Sequence, residues 1–273
     1  MSDRGNQDYS PAVRRATTMA LPAPIKSIMK RDWHGHEHIP RSGGVIVAAN
    51  HLSYADWAAM ALFIHEAGRY PAFLIKSSAF NVKGIGPFLR AAGQFPVNRG
   101  ATDAALVLND AERGLAHGEC LIFYPEGTAT RDPELWPMVA KTGVARLALT
   151  TGVPVIPVAR WGTRSIYDHY QKKFRPWPRK TVTVRVGEPV DLSAFRGKEA
   201  SNALLRDVTE LLMGKVKELL AEIRQEPAPA GFYRPQTARA AAKAESKAEP
   251  KIEPKVEATA QPKESEAAGE AES

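Results

Sequence analysis

The 273-residue sequence predicts an α/β fold: a single domain with a mixed β-sheet flanked by helices. Short apolar runs rich in β-branched residues alternate with segments of helical period, which is the pattern of strands joined by covering helices. Each early run stops abruptly on polar residues, where such sheets open their ligand crevices. From about residue 227 onward the composition shifts to Ala, Glu, Lys and Pro, too poor in apolar side chains to offset the entropy of ordering.

Residues 1–17 are polar and expected to be loose. Residues 19–33 place Leu21, Ile25, Ile28, Met29 and Trp33 among Lys26, Lys30 and Arg31, the pattern of a short amphipathic helix starting near Pro22 or Pro24. Such a helix either lies in a membrane interface or packs on the core. Residues 45–49 are a continuous apolar run, expected as a buried strand. After the polar stretch Asn50-His-Leu-Ser-Tyr-Ala-Asp-Trp57, the residues Ala58, Ala61, Leu62 and Ile64 recur at helical spacing, with Ser53 and Asp56 set as a capping pair at the helix start. Residues 72–76 read as a strand, a connector follows through Gly84 and Gly86, and a brief helix is expected over 88–91. Residues 95–98 form the next strand. The segment 102–116 is a helix with Ala105, Leu106, Leu108, Ala111 and Leu115 on one face. Residues 120–124 form a strand ending in Pro125-Glu-Gly-Thr128. A helix over 141–150, strands over 155–159 and 181–186, and a long amphipathic helix over 203–223 complete the domain. Three successive Lys-x-Glu units starting at Lys247, Lys251 and Lys255 mark the tail as low-complexity chain, expected to be disordered.

The net charge of +7 and isoelectric point near 9.5 belong to the folded part, because the tail's charges nearly cancel. A basic surface suits nucleic acid, anionic membranes or phosphorylated substrates. No zinc finger, RNP motif or helix-turn-helix pattern is present, which disfavours nucleic acid. The single cysteine, Cys120, excludes an internal disulfide and sits at the start of a strand, where it is expected to be buried. No run reaches the ~18 apolar residues of a spanning helix and no secretory leader opens the chain. A peripheral association with the cytoplasmic face of the membrane is the expectation.

His51 and Asp56 stand five residues apart, a spacing that points side chains away from each other on one regular helix. Across a strand-to-helix turn they can meet, and the carboxylate then fixes the imidazole tautomer and leaves the second ring nitrogen to take a proton. Taken alone, such a pair is more often a helix cap beside a turn histidine. Arg99 offers a planar fork for a phosphate, with Lys76, Arg131 and Lys141 as further cations. Gly127 permits close backbone approach to a phosphate or an oxyanion, and Glu126 can orient an arginine or a substrate hydroxyl.

In order, Asn50-His51-x4-Asp56, Phe95-Pro-Val-Asn-Arg99, Phe123-Tyr-Pro-Glu-Gly-Thr128 and Val153-Pro-Val-Ile-Pro157 resemble the four sequence blocks of the glycerolipid acyltransferases. The resemblance is strongest to the bacterial 1-acyl-sn-glycerol-3-phosphate acyltransferases of the PlsC type. One departure stands out: that family commonly carries an arginine directly after Pro-Glu-Gly-Thr, whereas here Ala129 and Thr130 precede Arg131.

The resemblance implies a glycerol-3-phosphate acyltransferase-like domain over 35–226, preceded by a segment 1–34 and followed by the tail 227–273. It implies transfer of an acyl group from acyl-CoA or acyl-carrier protein to the free hydroxyl of lysophosphatidic acid, with no metal or other cofactor, since a thiolate leaves readily. His51 would be the general base and Asp56 its orienter. Asn50, Ser53, Lys76, Arg99, Glu126, Gly127, Thr128, Arg131 and Lys141 would hold substrate. Another lysophospholipid, a glycolipid or glycerol 3-phosphate as acceptor, or a non-catalytic lipid-binding scaffold, remain alternatives. Oligomeric state is not specified. The segment 170–180 interleaves Lys172, Lys173, Arg175, Arg179 and Lys180 with Tyr170, Phe174 and Trp177, as either a lipid-docking surface or an ordinary exposed loop.

Overall fold

The computed structural model describes residues 9–97 and 104–235. Two short helices open it, α1 (Pro11–Ala20) and α2 (Pro22–Ile28), followed by β1 (Met29–His34), β2 (Val45–Ala49), α3 (Asp56–Glu66) and β3 (Pro71–Lys76). The chain continues through α4 (Ile85–Ala91), β4 (Phe95–Val97), α5 (Ala104–Ala116), β5 (Cys120–Phe123) and α6 (Gly143–Thr151). It closes with β6 (Val155–Trp161), α7 (Thr163–Ile166), the pair β7 (Tyr167–Asp168) and β8 (Lys173–Phe174), β9 (Lys180–Val186) and α8 (Asn202–Arg224).

Among the described residues seven strands form one mixed sheet in the order β1-β9-β6-β2-β5-β3-β4. All neighbours are parallel except β6 and β9, which run antiparallel. Parallel strands need helical crossovers, and those crossovers bury both faces. In β2 the alternation is direct: Val45, Val47 and Ala49 pack into the core under α3, while Ile46 and Ala48 pack into the core under α5, α6 and α8. That is why residues 45–49 are uniformly apolar. The helix α8 buries Leu205, Val208, Leu212, Val216 and Leu220 at i, i+3 and i+4 spacing; the first three join the second of these cores, and Leu220 packs with Trp136 and Ala159. Its start is capped by the Ser201 side chain, which accepts from the Leu204 amide at 3.2 Å.

The helix expected over residues 19–33 divides. Pro22 opens α2 and the helix ends at Ile28, because Met29–His34 pairs in parallel with β9 from Met29 opposite Lys180 to His34 opposite Arg185. The helical spacing of Leu21, Ile25 and Ile28 is kept in α2, and the edge pairing overrides its continuation through Met29 and Trp33. Residues 29–34 are therefore part of the sheet, and residues 11–17 of the stretch expected to be loose lie in α1. At the other end, residues 227–235 pack on the domain: the Lys217 Nζ donates to the carbonyl of Pro229 at 2.7 Å, and the Val139 amide donates to the carbonyl of Tyr233 at 2.9 Å. The ordered chain passes the boundary expected at residue 227; the expected disorder of 236–273 lies outside the described residues.

Candidate active site

Because β2, β3 and β5 are parallel, their carboxyl ends share one edge of the sheet. There β2 delivers His51, β3 delivers Lys76 and β5 delivers Tyr124, Pro125 and Glu126. The turn after β2 brings His51 and Asp56 together, with the Nδ1 of His51 2.7 Å from Oδ2 of Asp56. Asp56 is the first residue of α3, and its Oδ2 also accepts from the amides of Leu52 at 2.7 Å and Ser53 at 2.9 Å. Half of the expected capping pair is thus present: the carboxylate reaches back to the Ser53 amide, at a helix start where the dipole also favours it. Ser53 instead donates its hydroxyl to the carbonyl of Tyr167 and accepts from the Ala55 amide.

Two further groups hold Asp56. The Arg160 Nη2 donates to Oδ2 at 2.7 Å, and the Thr163 hydroxyl donates to Oδ1. Asp56 and Arg160 both have fully buried side chains. Burial opposes the Asp56 charge, but the Arg160 guanidinium and the His51 hydrogen bond hold its carboxyl well below the usual range. Asp56 is therefore an ionised acceptor, so the Nδ1 of His51 carries the hydrogen and donates it. The opposite nitrogen, Nε2, is left as the proton acceptor. The ring of Tyr124 stacks on His51 at 4.6 Å and 14°, fixing the imidazole plane.

The turn Pro125-Glu-Gly-Thr128 clamps the backbone of His51. Glu126 accepts the His51 amide on Oε1 at 2.8 Å and the Met138 amide on Oε2 at 2.9 Å, while the Thr130 amide donates to the His51 carbonyl at 2.7 Å. Burial pushes the Glu126 carboxyl up to about 8, against the two amides and Arg160, which favour its ionised form. Its folded value thus lies above its ordinary 4.5, so its protonation stabilises the fold most fully below 4.5, and that stabilisation is lost as pH rises through about 8. Glu126→Gln leaves one oxygen for two amides and is expected to destabilise by ~1–3 kcal/mol at low pH. Thermal melts of both proteins across this range should show the wild-type advantage shrinking as pH rises; a constant gap would assign Glu126 no titration there.

A cavity of about 1240 Å³ opens at the same edge and runs beneath α3. His51, Tyr124, Gly127, Lys76, Lys141 and Arg146 line one end; His65, Tyr70, Pro71, Thr17 and Thr18 line the other. Its wall along α3 is Trp57, Ala61, Leu62 and His65, and the eight helical rises from first to last span about 12 Å. Phe73, Leu74, Ile75, Phe88 and Leu89 add to a mostly apolar interior. At the mouth Gly127 has φ of +72°, a left-handed conformation that favours glycine, and a Cβ built there would lie 3.3 Å from Cε of Lys141. Gly127 thus lets Lys141 lie across the turn.

Of the residues expected to hold substrate, Lys76, Gly127 and Lys141 reach the cavity beside His51. Asn50 does not: it is buried, donating to the Arg160 carbonyl at 3.1 Å and accepting the Arg160 amide at 2.9 Å, so it replaces a ladder bond where β2 leaves β6. Ser53 and Glu126 are likewise committed to backbone partners off the cavity wall, and Thr128 lies off that wall too. Arg131 is exposed and off the wall, because Ala129 and Thr130 turn inward instead, Thr130 donating its hydroxyl to the Trp136 carbonyl at 2.7 Å. Arg99 lies outside the described residues. Sequence reasoning passed over Arg160, Thr163 and Arg146. A signal for Arg160 was present, since a charged residue near the end of the apolar run Val155–Trp161 demands a partner. Cys120 is buried as expected, and burial pushes its thiol up to about 12, which removes it as a nucleophile.

Residues 30–161 match the family described as Acyltransferase. A 1-acyl-sn-glycerol-3-phosphate acyltransferase of Bacillus subtilis is 24% identical over 192 residues, covering 70% of this chain and 89% of that protein. The chloroplastic 1-acyl-sn-glycerol-3-phosphate acyltransferase BAT2 of Brassica napus is 31% identical over 144 residues, covering 52% of this chain; the match spans 40% of that longer protein. The crystal structure of the 1-acyl-sn-glycerophosphate acyltransferase PlsC from Thermotoga maritima superposes with a TM-score of 0.54 at 26% identity, covering 76% of this chain and 81% of that one.

Proposed function

The chain carries an acyltransferase-family domain over residues 30–161, and from that premise we propose that it moves a fatty acyl group from a thioester to the free hydroxyl of lysophosphatidic acid, giving phosphatidic acid. The observation that carries this reading is the His51–Asp56 pair at 2.7 Å, set at the basic mouth of a long apolar cavity. The acceptor hydroxyl gives its proton to Nε2 of His51 as its oxygen attacks the thioester carbonyl. The tetrahedral intermediate then expels the thiolate, which takes the proton back from the imidazolium. Asp56 stabilises that imidazolium and holds the ring. Lys76, Lys141 and Arg146 supply positive charge for the acceptor phosphate, and the cavity along α3 takes the acyl chain. The donor is acyl-CoA or acyl-carrier protein.

Thiol release from palmitoyl-CoA and from an acyl-carrier protein, with and without lysophosphatidic acid in liposomes, tests this directly when the lipid product is identified. Phosphatidic acid formed only with both substrates is the expected result. Acceptor-independent release, or another product from a different lysolipid, glycolipid or glycerol 3-phosphate, would reject lysophosphatidic acid as the acceptor. Ala61 lies midway along the wall, so Ala61→Phe is expected to move the donor preference toward shorter acyl chains, read as the ratio of kcat/KM for long and medium acyl-CoA. An unchanged ratio would place the acyl chain elsewhere.

Among the described residues no helix is long and apolar enough to cross a membrane. Access to lipid is read from the surface: Phe174 and Trp177, 61% and 63% exposed, stand beside Lys172, Lys173 and Arg175. This pattern suits docking on anionic lipid, with each basic residue worth about 1 kcal/mol. Neutralising all three is expected to weaken sedimentation with anionic liposomes; unchanged sedimentation would remove this face from the membrane contact.

A further inference from the structure

We propose that Arg160 is a positioning residue for the dyad, one that keeps the buried Asp56 ionised and backs the ring against which His51 stacks. The inference rests on reading His51 and Asp56 as the reacting pair. Arg160 lies on β6, 104 residues from Asp56, and both side chains are fully shielded from solvent. Its Nη2 donates to Oδ2 of Asp56 at 2.7 Å, the same oxygen that faces Nδ1 of His51, and also to the carbonyl of Asn50. The face of the guanidinium lies 4.7 Å from the Tyr124 ring centroid, and that ring stacks on His51. One side chain therefore touches the carboxylate and the wall behind the imidazole. Asn50 fixes its backbone in turn, through both the amide and the carbonyl of Arg160.

A carboxylate with no solvent access takes a proton unless charge or donors hold it ionised. The titratable and charged groups around the pair are Tyr54 in the turn before α3, Tyr124 and Glu126 after β5, Arg160 in β6, and Arg164 and His169 beyond it. Among the described residues Arg160 is the permanent cation in contact with Asp56. Were Asp56 protonated, it would no longer hold the His51 tautomer by charge or offset the imidazolium that forms during transfer. Arg160 does not reach the cavity wall; it acts through Asp56 and Tyr124.

The test uses the full chain with aspartate labelled at the carboxyl carbon, the Asp56 signal being assigned by its loss in Asp56→Asn. In wild type that carbon stays at its ionised shift from about pH 4 to 9, whereas in Arg160→Met and Arg160→Gln it titrates inside that window. In parallel, kcat falls at least ~10-fold, a share of the ~10⁴ that loss of an orienting carboxylate costs a Ser-His-Asp triad. KM for the acyl donor stays within about twofold, and kcat recovers as pH rises and Asp56 ionises. Arg160→Lys restores the charge and with it the ionised signal. If Arg160→Met does not fold, Arg160→Gln, planar and neutral, carries the same measurement. A carboxyl carbon that stays ionised throughout in either folded neutral variant, or a pH profile lowered equally at every pH, would overturn the proposal. Should wild type transfer no acyl group, the carbon titration still decides the role of Arg160, and the acyltransferase reading falls separately.

Discussion

Replacing His51 with Ala is expected to lower kcat by about 10²–10⁴, the usual contribution of a positioned general base, with the fold and lipid binding retained. Retention follows from how Asp56 is held. Without the imidazole it still accepts from the amides of Leu52 and Ser53, from Arg160 and from Thr163, so no buried charge is orphaned. The backbone of residue 51 keeps its contacts with Glu126 and Thr130, which do not involve the ring. Thiol release, liposome sedimentation and a thermal melt on the same preparation separate the outcomes. A folded variant that keeps more than about a tenth of wild-type turnover would deny His51 the role of base.

The dyad was legible because it is local: an apolar strand, a turn and a helix start lie within the twelve residues 45–56, and strand-to-helix turns constrain which side chains can meet. The strands β2 to β6, β9 and most helices were legible for the same reason, since the two periodicities are written in neighbouring residues. What holds the dyad was not. Arg160 and Thr163 are more than a hundred residues from Asp56, and no spacing rule links residues that meet only after β6 has inserted beside β2. The polar residues of the third block meet the same limit. Glu126 in a turn at a strand end reads as a ligand, yet its partners are the amides of His51 and Met138, groups every residue has and sequence does not distinguish. The edge strand β1 was hidden differently. Its pairing with β9 spans about 150 residues, and the helical spacing just before it masked the change of period.

Asp56→Asn is expected to have the larger combined effect, on turnover and on stability together. The amide keeps the shape of the side chain but presents one oxygen where two now accept five donors: Leu52, Ser53, His51, Arg160 and Thr163. Loss of the charge removes the anion that fixes the His51 tautomer, a change worth ~10⁴ in kcat in the Ser-His-Asp triad. It also leaves the Arg160 guanidinium buried without its counterion, and breaking a buried pair from one side typically destabilises by about 3–5 kcal/mol. The two losses have different pH signatures. The Asp56 carboxyl is held below its ordinary value of 3.8, so its ionisation adds stability that is complete above 3.8 and is lost as pH falls through the depressed folded value. The gap in melting temperature between wild type and Asp56→Asn should therefore be widest at neutral pH and narrow in acid. Turnover should stay low at every pH, because the asparagine has no proton to lose. A variant whose activity returns on the alkaline side would point to a different orienter for His51, and one that melts like wild type at neutral pH would mean that Arg160 finds its counterion elsewhere.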